Sequence, residues 1–127
     1  MTIRAHDLMP MFTAATADGT VVRYEDIWQR KNLLLVSLLS DDPSSNAYAT
    51  SLDVLESSLA ACEAFLLITT TRIEGVPYPG VVVADRWGDV YHVQEADRAA
   101  GLPPPDELID WLRFVRNECP ECQGETR

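Results

Sequence analysis

Two cysteines at the spacing of a reactive or metal-binding pair, Cys119-Pro120-Glu121-Cys122, stand close to the end of this 127-residue sequence. Three readings of them compete. As a dithiol the pair can cycle to a disulfide. It follows an apolar helical pattern instead of opening one, however, and there the helix dipole raises a thiol pKa that a catalytic pair needs lowered. Glu118 and Glu121 push the same way. As half of a tetrahedral site the pair supplies two thiolates to zinc or iron. The other two ligands must then come from His6, His92, Cys62, or the same pair of a second copy across a two-fold axis. In the third reading the pair has no role in the folded protein.

The other cluster is Asp41-Asp42-Pro43-Ser44-Ser45, a polar turn directly behind the apolar run Leu33–Leu39. The space past the carboxyl end of a buried strand is where open α/β sheets place their chemistry. Acids there cap a helix, bind a cation or stay solvated, and Ser44 or Ser45 can cap a following helix with its hydroxyl oxygen. The turn holds no cysteine, no histidine and no glycine-rich phosphate loop. Cys62 falls on a helical stripe and reads as a small core residue. His6 and His92 have no partner spacing that marks them as ligands. Trp28, Trp87 and Trp111 are too far apart in sequence to read as one surface, and Trp87, in a turn, is the expected exposed aromatic.

Composition narrows the field. Ten basic against twenty acidic residues give a net charge of −10, which argues against binding a phosphate backbone. Lys31 is the one lysine and the arginines are scattered. The acidity reads as a device for solubility. No apolar run approaches the length of a membrane span, and Met1–Asp7 lacks the apolar core of a signal peptide, so a cytoplasmic protein is expected. Three cysteines do not make a secreted disulfide framework.

The elements that must position these residues are legible in order. Phe12–Thr16 reads as a short edge strand, Asp18-Gly19 as a hairpin turn and Thr20–Tyr24 as the return strand. Glu25–Arg30 reads as one or two helical turns stopped at Asn32. The unbroken run Leu33–Leu39 predicts a central strand buried on both faces. Tyr48, Leu52, Leu55, Leu59 and Cys62 predict one helix over Asn46–Glu63. Phe65–Thr70 follows as a second strand, parallel to the first through that crossover. Gly80–Ala84 and Val90–Val93 predict an antiparallel pair around Asp85–Asp89. Ala96–Gly101 reads as a helical turn. A last helix after Pro103-Pro104-Pro105 buries Leu108, Ile109, Leu112 and Val115, with Trp111 and Phe114 flanking. The expectation is one α/β domain over residues 1–117, a mixed sheet with flanking helices and an N-terminal hairpin, followed by the tail 118–127.

Leu8-Met9-Pro10-Met11-Phe12-Thr13 with Asp18-Gly19-Thr20-Val21-Val22 resembles the opening hairpin of the thioredoxin-like superfamily, in particular its peroxiredoxin-like and cytochrome-maturation branches. Tyr78-Pro79-Gly80-Val81-Val82-Val83-Ala84-Asp85 followed by Trp87-Gly88-Asp89-Val90 is similar to that superfamily's proline-led strand and Asp-x-x-Gly turn. The resemblance spans residues 7–117 and implies that Pro79 is a cis-proline facing the active-site loop. At that loop the superfamily carries Cys-x-x-Cys or a single peroxidatic cysteine, whereas this chain has Asp42-Pro43-Ser44-Ser45 and no cysteine between Met1 and Ala61. A serine without a neighbouring base does not replace a thiolate.

The expectation is therefore a thioredoxin-like domain, in a homodimer, that binds or assembles a protein partner through Asp41, Asp42, Pro43, Ser44, Ser45, Tyr78 and Pro79. One alternative is a thiol–disulfide oxidoreductase or peroxiredoxin-like antioxidant protein working through Cys119 and Cys122. The other is an oligomer bridged by zinc or iron at the same pair.

Overall fold

A computed structural model of the chain describes residues 2–118. The hairpin β1 (Thr13–Ala15) and β2 (Val21–Arg23) forms a small antiparallel sheet of its own. A 3₁₀ turn at Tyr24–Asp26 leads to β3 (Asn32–Ser37). Helices α1 (Pro43–Ser51) and α2 (Glu56–Ala61) cross to β4 (Ala64–Thr69). Next come β5 (Gly80–Ala84), β6 (Val90–Glu95), a 3₁₀ turn at Ala99–Gly101 and α3 (Pro105–Glu118).

The main sheet has the order β4-β3-β5-β6. β4 is parallel to β3, and β5 is antiparallel to both β3 and β6. Every residue of β3 is buried, and alternation along the strand explains why. Leu34 and Val36 join Tyr48, Leu52, Leu55, Leu108, Leu112 and Val115 in the apolar layer under the helices. Leu33 and Leu35 face the opposite way, into a second layer with Met9, Ala14, Tyr24 and Ile73. The N-terminal hairpin and the loops thus cover one face, and the helices cover the other.

The crossover departs from the single helix expected over Asn46–Glu63. It starts earlier, at Pro43, and Leu52–Leu55 is 3₁₀ between two short α-helices. Thr50 donates its hydroxyl to the Asn46 carbonyl at 3.1 Å and Ser51 donates to the Tyr48 carbonyl at 2.6 Å. Hydroxyls that bond back onto the preceding turn bend or interrupt a helix. The apolar stripe survives the break, because Tyr48, Leu52, Leu55 and Cys62 all stay buried.

At the end of the sheet where β3 begins, Asp85 is 3% exposed and its Oδ1 accepts from the N–H groups of Trp87 and Asp89 at 2.9 and 3.0 Å. Burial pushes its carboxyl above the ordinary value of 3.8, and those N–H groups only partly offset the shift. A carboxyl raised in the folded state adds stability below its unfolded pKa and loses it as pH climbs through the folded one. Asp85→Asn retains an acceptor and does not titrate. As pH rises above the ordinary carboxyl value, the wild type is expected to lose ground against Asp85→Asn until the buried carboxyl has ionised. Urea midpoints of the two proteins across that range measure it. A difference that is flat, or that grows in the wild type's favour, contradicts the assignment.

Candidate functional site

β3 and β4 end, and β5 begins, at one end of the sheet, where Ser37 lies in register with both Thr69 and Gly80. Three loops meet there: Leu38–Asp42 leading into α1, Thr70–Pro79 between β4 and β5, and the stretch around Ala99–Gly101 before α3. The sequence expectation for Pro79 holds, since the Tyr78–Pro79 peptide bond is cis. Pro79 is buried, immediately before the residue paired with Ser37. Asp41, Asp42, Pro43, Ser44, Ser45, Tyr78 and Pro79 are therefore gathered at this end of the sheet.

Apart from Asp41, the polar side chains of Asp41–Ser45 each have a local task. Asp41 is exposed with φ +54°, the left-handed conformation that reverses the chain before α1. Asp42, and not Ser44 or Ser45, caps α1: its Oδ2 accepts from the Ser45 N–H at 3.0 Å, with Pro43 at the first helical position. Proline fits that position because its missing N–H would have no helical partner there. The helix begins several residues earlier than its apolar stripe, which moves the cap back from the serines. Ser45 is buried, and its Oγ accepts from the Leu39 N–H at 3.1 Å, folding the turn against the helix. The Oγ of Ser44 accepts from the Ala100 N–H at 3.0 Å and ties the turn to the approach of α3. Behind it Tyr48 donates its hydroxyl to the Pro103 carbonyl at 2.6 Å, and burial, with the Glu107 charge nearby, pushes that phenol up to about 12.

The facing loop is tied as firmly. Thr69 donates to the Ala15 carbonyl at 2.6 Å, and the Thr71 hydroxyl accepts from the Ala15 N–H at 3.1 Å, so β1 is stitched to the end of β4. The Tyr78 hydroxyl donates to the Thr70 carbonyl at 3.2 Å, and the Arg72 guanidinium lies 5.4 Å from the Tyr78 ring centre. That distance suits a cation–π contact. Sequence reasoning missed Arg72. It also passed over Ser37, whose buried hydroxyl has no hydrogen-bond partner among the described residues. A polar residue inside an otherwise apolar run was the available signal.

No cysteine or histidine stands in the turn. Cys62 is buried as expected, but at the other end of the sheet, where its carbonyl accepts from Asn32 at 3.0 Å. Five residue steps of β3 separate Asn32 from Ser37, about 16 Å at strand rise. Burial pushes the Cys62 thiol up, only partly offset by Arg116 and Arg113, so it is no ready thiolate. The last ion pair of α3 is at this end too, Arg116 to Glu63 at 2.5 Å. Cys119 and Cys122, with every redox and metal expectation placed on them, lie outside the described residues. Among the described residues no group of three or more His, Cys, Asp or Glu could hold a metal ion, and no helix is long and apolar enough to cross a membrane.

No protein-family model and no curated protein sequence matches this chain. Solved structures match its fold. The reduced 2-Cys peroxiredoxin of Plasmodium vivax superposes with a TM-score of 0.73 at 13% identity, over 96% of this chain and 86% of that one. A peroxidoxin of Mycobacterium tuberculosis gives 0.67 at 14% identity, over 89% of this chain and 98% of that one. A thioredoxin-family thiol:disulfide interchange protein of Chlorobium tepidum gives 0.62 at 11% identity, over 91% and 98%. The fold is thioredoxin-like, with the mixed sheet, flanking helices and N-terminal hairpin that the sequence led one to expect.

Proposed function

We infer that this protein is a thioredoxin-like binding or assembly module, engaging a protein partner through Asp41–Ser45 with Tyr78 and Pro79 beside them. One observation carries this reading. The groups at the start of α1, where a reactive thiol would have to stand, are oxygens engaged in holding the loop: Asp42 on Ser45, Ser45 on Leu39 and Ser44 on Ala100. A serine hydroxyl needs an adjacent base to become a nucleophile, and the turn has no histidine to serve as one. What remains is a tied, polar surface of Asp41, Asp42 and Ser44 with the half-buried Tyr78 ring, suited to recognition, while Ser45 and Pro79 are buried and hold its shape.

A second reading is favoured by the names of the structural neighbours, which are peroxiredoxins and thiol:disulfide interchange proteins. In this chain such chemistry falls to Cys119 and Cys122. Their two thiols would be oxidised to one disulfide while a partner's disulfide is reduced to two thiols.

One comparison separates the readings. Insulin-reduction and hydroperoxide assays are run on the wild type and on Cys119→Ser/Cys122→Ser, beside restoration of the host's phenotype after deletion of the gene. The binding reading expects no turnover, full restoration by the double serine variant and failure of restoration by Tyr78→Ala. Turnover that vanishes in the double variant overturns it in favour of the thiol reading.

A further inference from the structure

α3 buries Leu108, Leu112 and Val115 against the sheet. Its outer face carries Glu107, Asp110, Trp111 and Phe114, spaced three and four residues apart on one ridge. Phe114 is 48% exposed, high for a ring of its size. These four residues line a shallow groove of 270 Å³. The two rings do not hang free. Trp111 stacks on His92 of β6 at 4.4 Å between centres and 12° between planes. Phe114 meets Trp111 edge-on at 5.9 Å and 90°, and meets Tyr91 edge-on at 6.0 Å and 73°. Four rings from two elements thus brace one another. Glu107 and Asp110 sit on the same ridge, and neither has an ion-pair partner among the described residues.

We propose that this ridge is a docking site for a basic segment of a protein partner, taking an arginine side chain across Trp111 and Phe114 with its guanidinium against Glu107 and Asp110. Charge complementarity selects that occupant. A guanidinium gains from the ring faces and from the carboxylates together, and its planar fork suits both. Braced aromatic rings lose little freedom on binding, as anchor positions at interfaces require. A second copy of the chain is a poorer fit, because each copy carries a net charge of −10 into the contact. None of its residues belongs to the turn at Asp41–Ser45, and the proposal does not depend on what that turn binds.

The test is a titration of the full-length, ¹⁵N-labelled chain with a nona-arginine peptide, at about physiological salt so that diffuse attraction is screened. The Trp111 indole N–H should shift saturably. Phe114→Ala, which leaves the charge untouched and alters an exposed side chain, should weaken binding about five-fold. Glu107→Gln/Asp110→Asn should weaken it at least as much, and Val54→Ala, a control at an exposed apolar residue of the crossover, should leave it unchanged. Three results overturn the proposal: no saturable shift, an affinity untouched by Phe114→Ala, or a concentration-dependent dimer in sedimentation that Phe114→Glu abolishes. The last would assign the face to a second copy.

Discussion

Gly80→Ala is expected to destabilise the protein by about 3 kcal/mol or more, the upper end of what overpacking costs. The position is buried, opens β5 and is paired with both Ser37 and Glu95. A methyl group placed there would lie 2.4 Å from Cγ of Pro77, 2.7 Å from its Cβ and 2.6 Å from its carbonyl oxygen. A proline ring cannot rotate away, since its torsion is closed into the backbone. The carbonyl is backbone as well. Relief therefore requires the whole Pro77–Pro79 turn to move, or β5 to slip against β3. The first displaces Tyr78 and Pro79 from the loop end of the sheet, and the second breaks the central ladder. For a domain whose total stability is of the order of 5–15 kcal/mol, such a loss lowers the melting temperature by roughly 10 °C.

Gly19→Ala supplies the control. Gly19 has φ +88° but nothing within 4 Å of an added methyl, so it reports backbone strain without a clash, about 1 kcal/mol. Urea unfolding of both variants should rank Gly80→Ala well below Gly19→Ala, with amide shifts at Ser37 and Tyr78 in any folded fraction. Equal midpoints would mean that Pro77 yields easily and that the turn is not fixed by this contact.

What the sequence made legible follows from which forces act locally. The apolar run of β3, the Asp18-Gly19 turn and the β5–β6 hairpin are written in period and turn chemistry, and they stand where expected. The start and continuity of the crossover helix were not legible in the same way. The stripe from Tyr48 to Cys62 has an unbroken helical period, while the interruption comes from hydroxyls choosing carbonyls one turn back. That choice leaves no mark on hydrophobic period. The cap identity went the same way: four candidate side chains, Asp41, Asp42, Ser44 and Ser45, stand within five residues, and the point where the helix begins decides among them.

Long-range polar and aromatic partnerships were the least legible. His92 and Trp111 belong to different elements, and only the docking of α3 against the sheet brings their rings together. Trp87 is exposed as expected, at 39%, yet Phe114 is more so, because α3 needs only one of its faces for the core. The stretch Asp41–Ser45 is a polar turn past a buried strand, as its residue types implied. The tasks of its serines were not legible, since Leu39 and Ala100, the donors they accept from, come from segments with no pattern pointing at them.

Asn32 illustrates the same point at greater cost, and it gives the second large prediction. In sequence it looks like a residue that ends a helical turn. In the structure it opens β3, is fully buried, and joins three elements. Its Nδ2 donates to the Cys62 carbonyl at 3.0 Å and its Oδ1 accepts from the Arg86 N–H at 2.9 Å. Its own N–H donates to the Glu63 carbonyl at 3.0 Å. Asn32→Ala removes both side-chain bonds and leaves a carbonyl and an N–H stranded, each at about 1–3 kcal/mol, so a loss of about 2–4 kcal/mol is expected. The ion pairs around it matter far less. Glu63 binds Arg86 at 3.0 Å and Arg116 at 2.5 Å, but Glu63 is exposed, and solvent-screened pairs contribute about 0–1 kcal/mol each.

Asn32→Asp distinguishes lost hydrogen bonds from lost packing. It keeps the shape and the acceptor for Arg86, but at neutral pH it places a carboxylate in a fully buried position facing the Cys62 carbonyl. Burial raises that carboxyl's pKa, so its contribution is intact below the unfolded pKa of about 3.9 and is lost as pH rises through the folded one. Chemical unfolding across this range should show Asn32→Asp approaching wild type in acid and falling toward or below Asn32→Ala at neutral pH, with Asn32→Ala running parallel to wild type throughout. An Asn32→Ala loss under about 1 kcal/mol, or an Asn32→Asp curve parallel to the other two, would mean that the three elements are held at this end of the sheet by apolar packing alone.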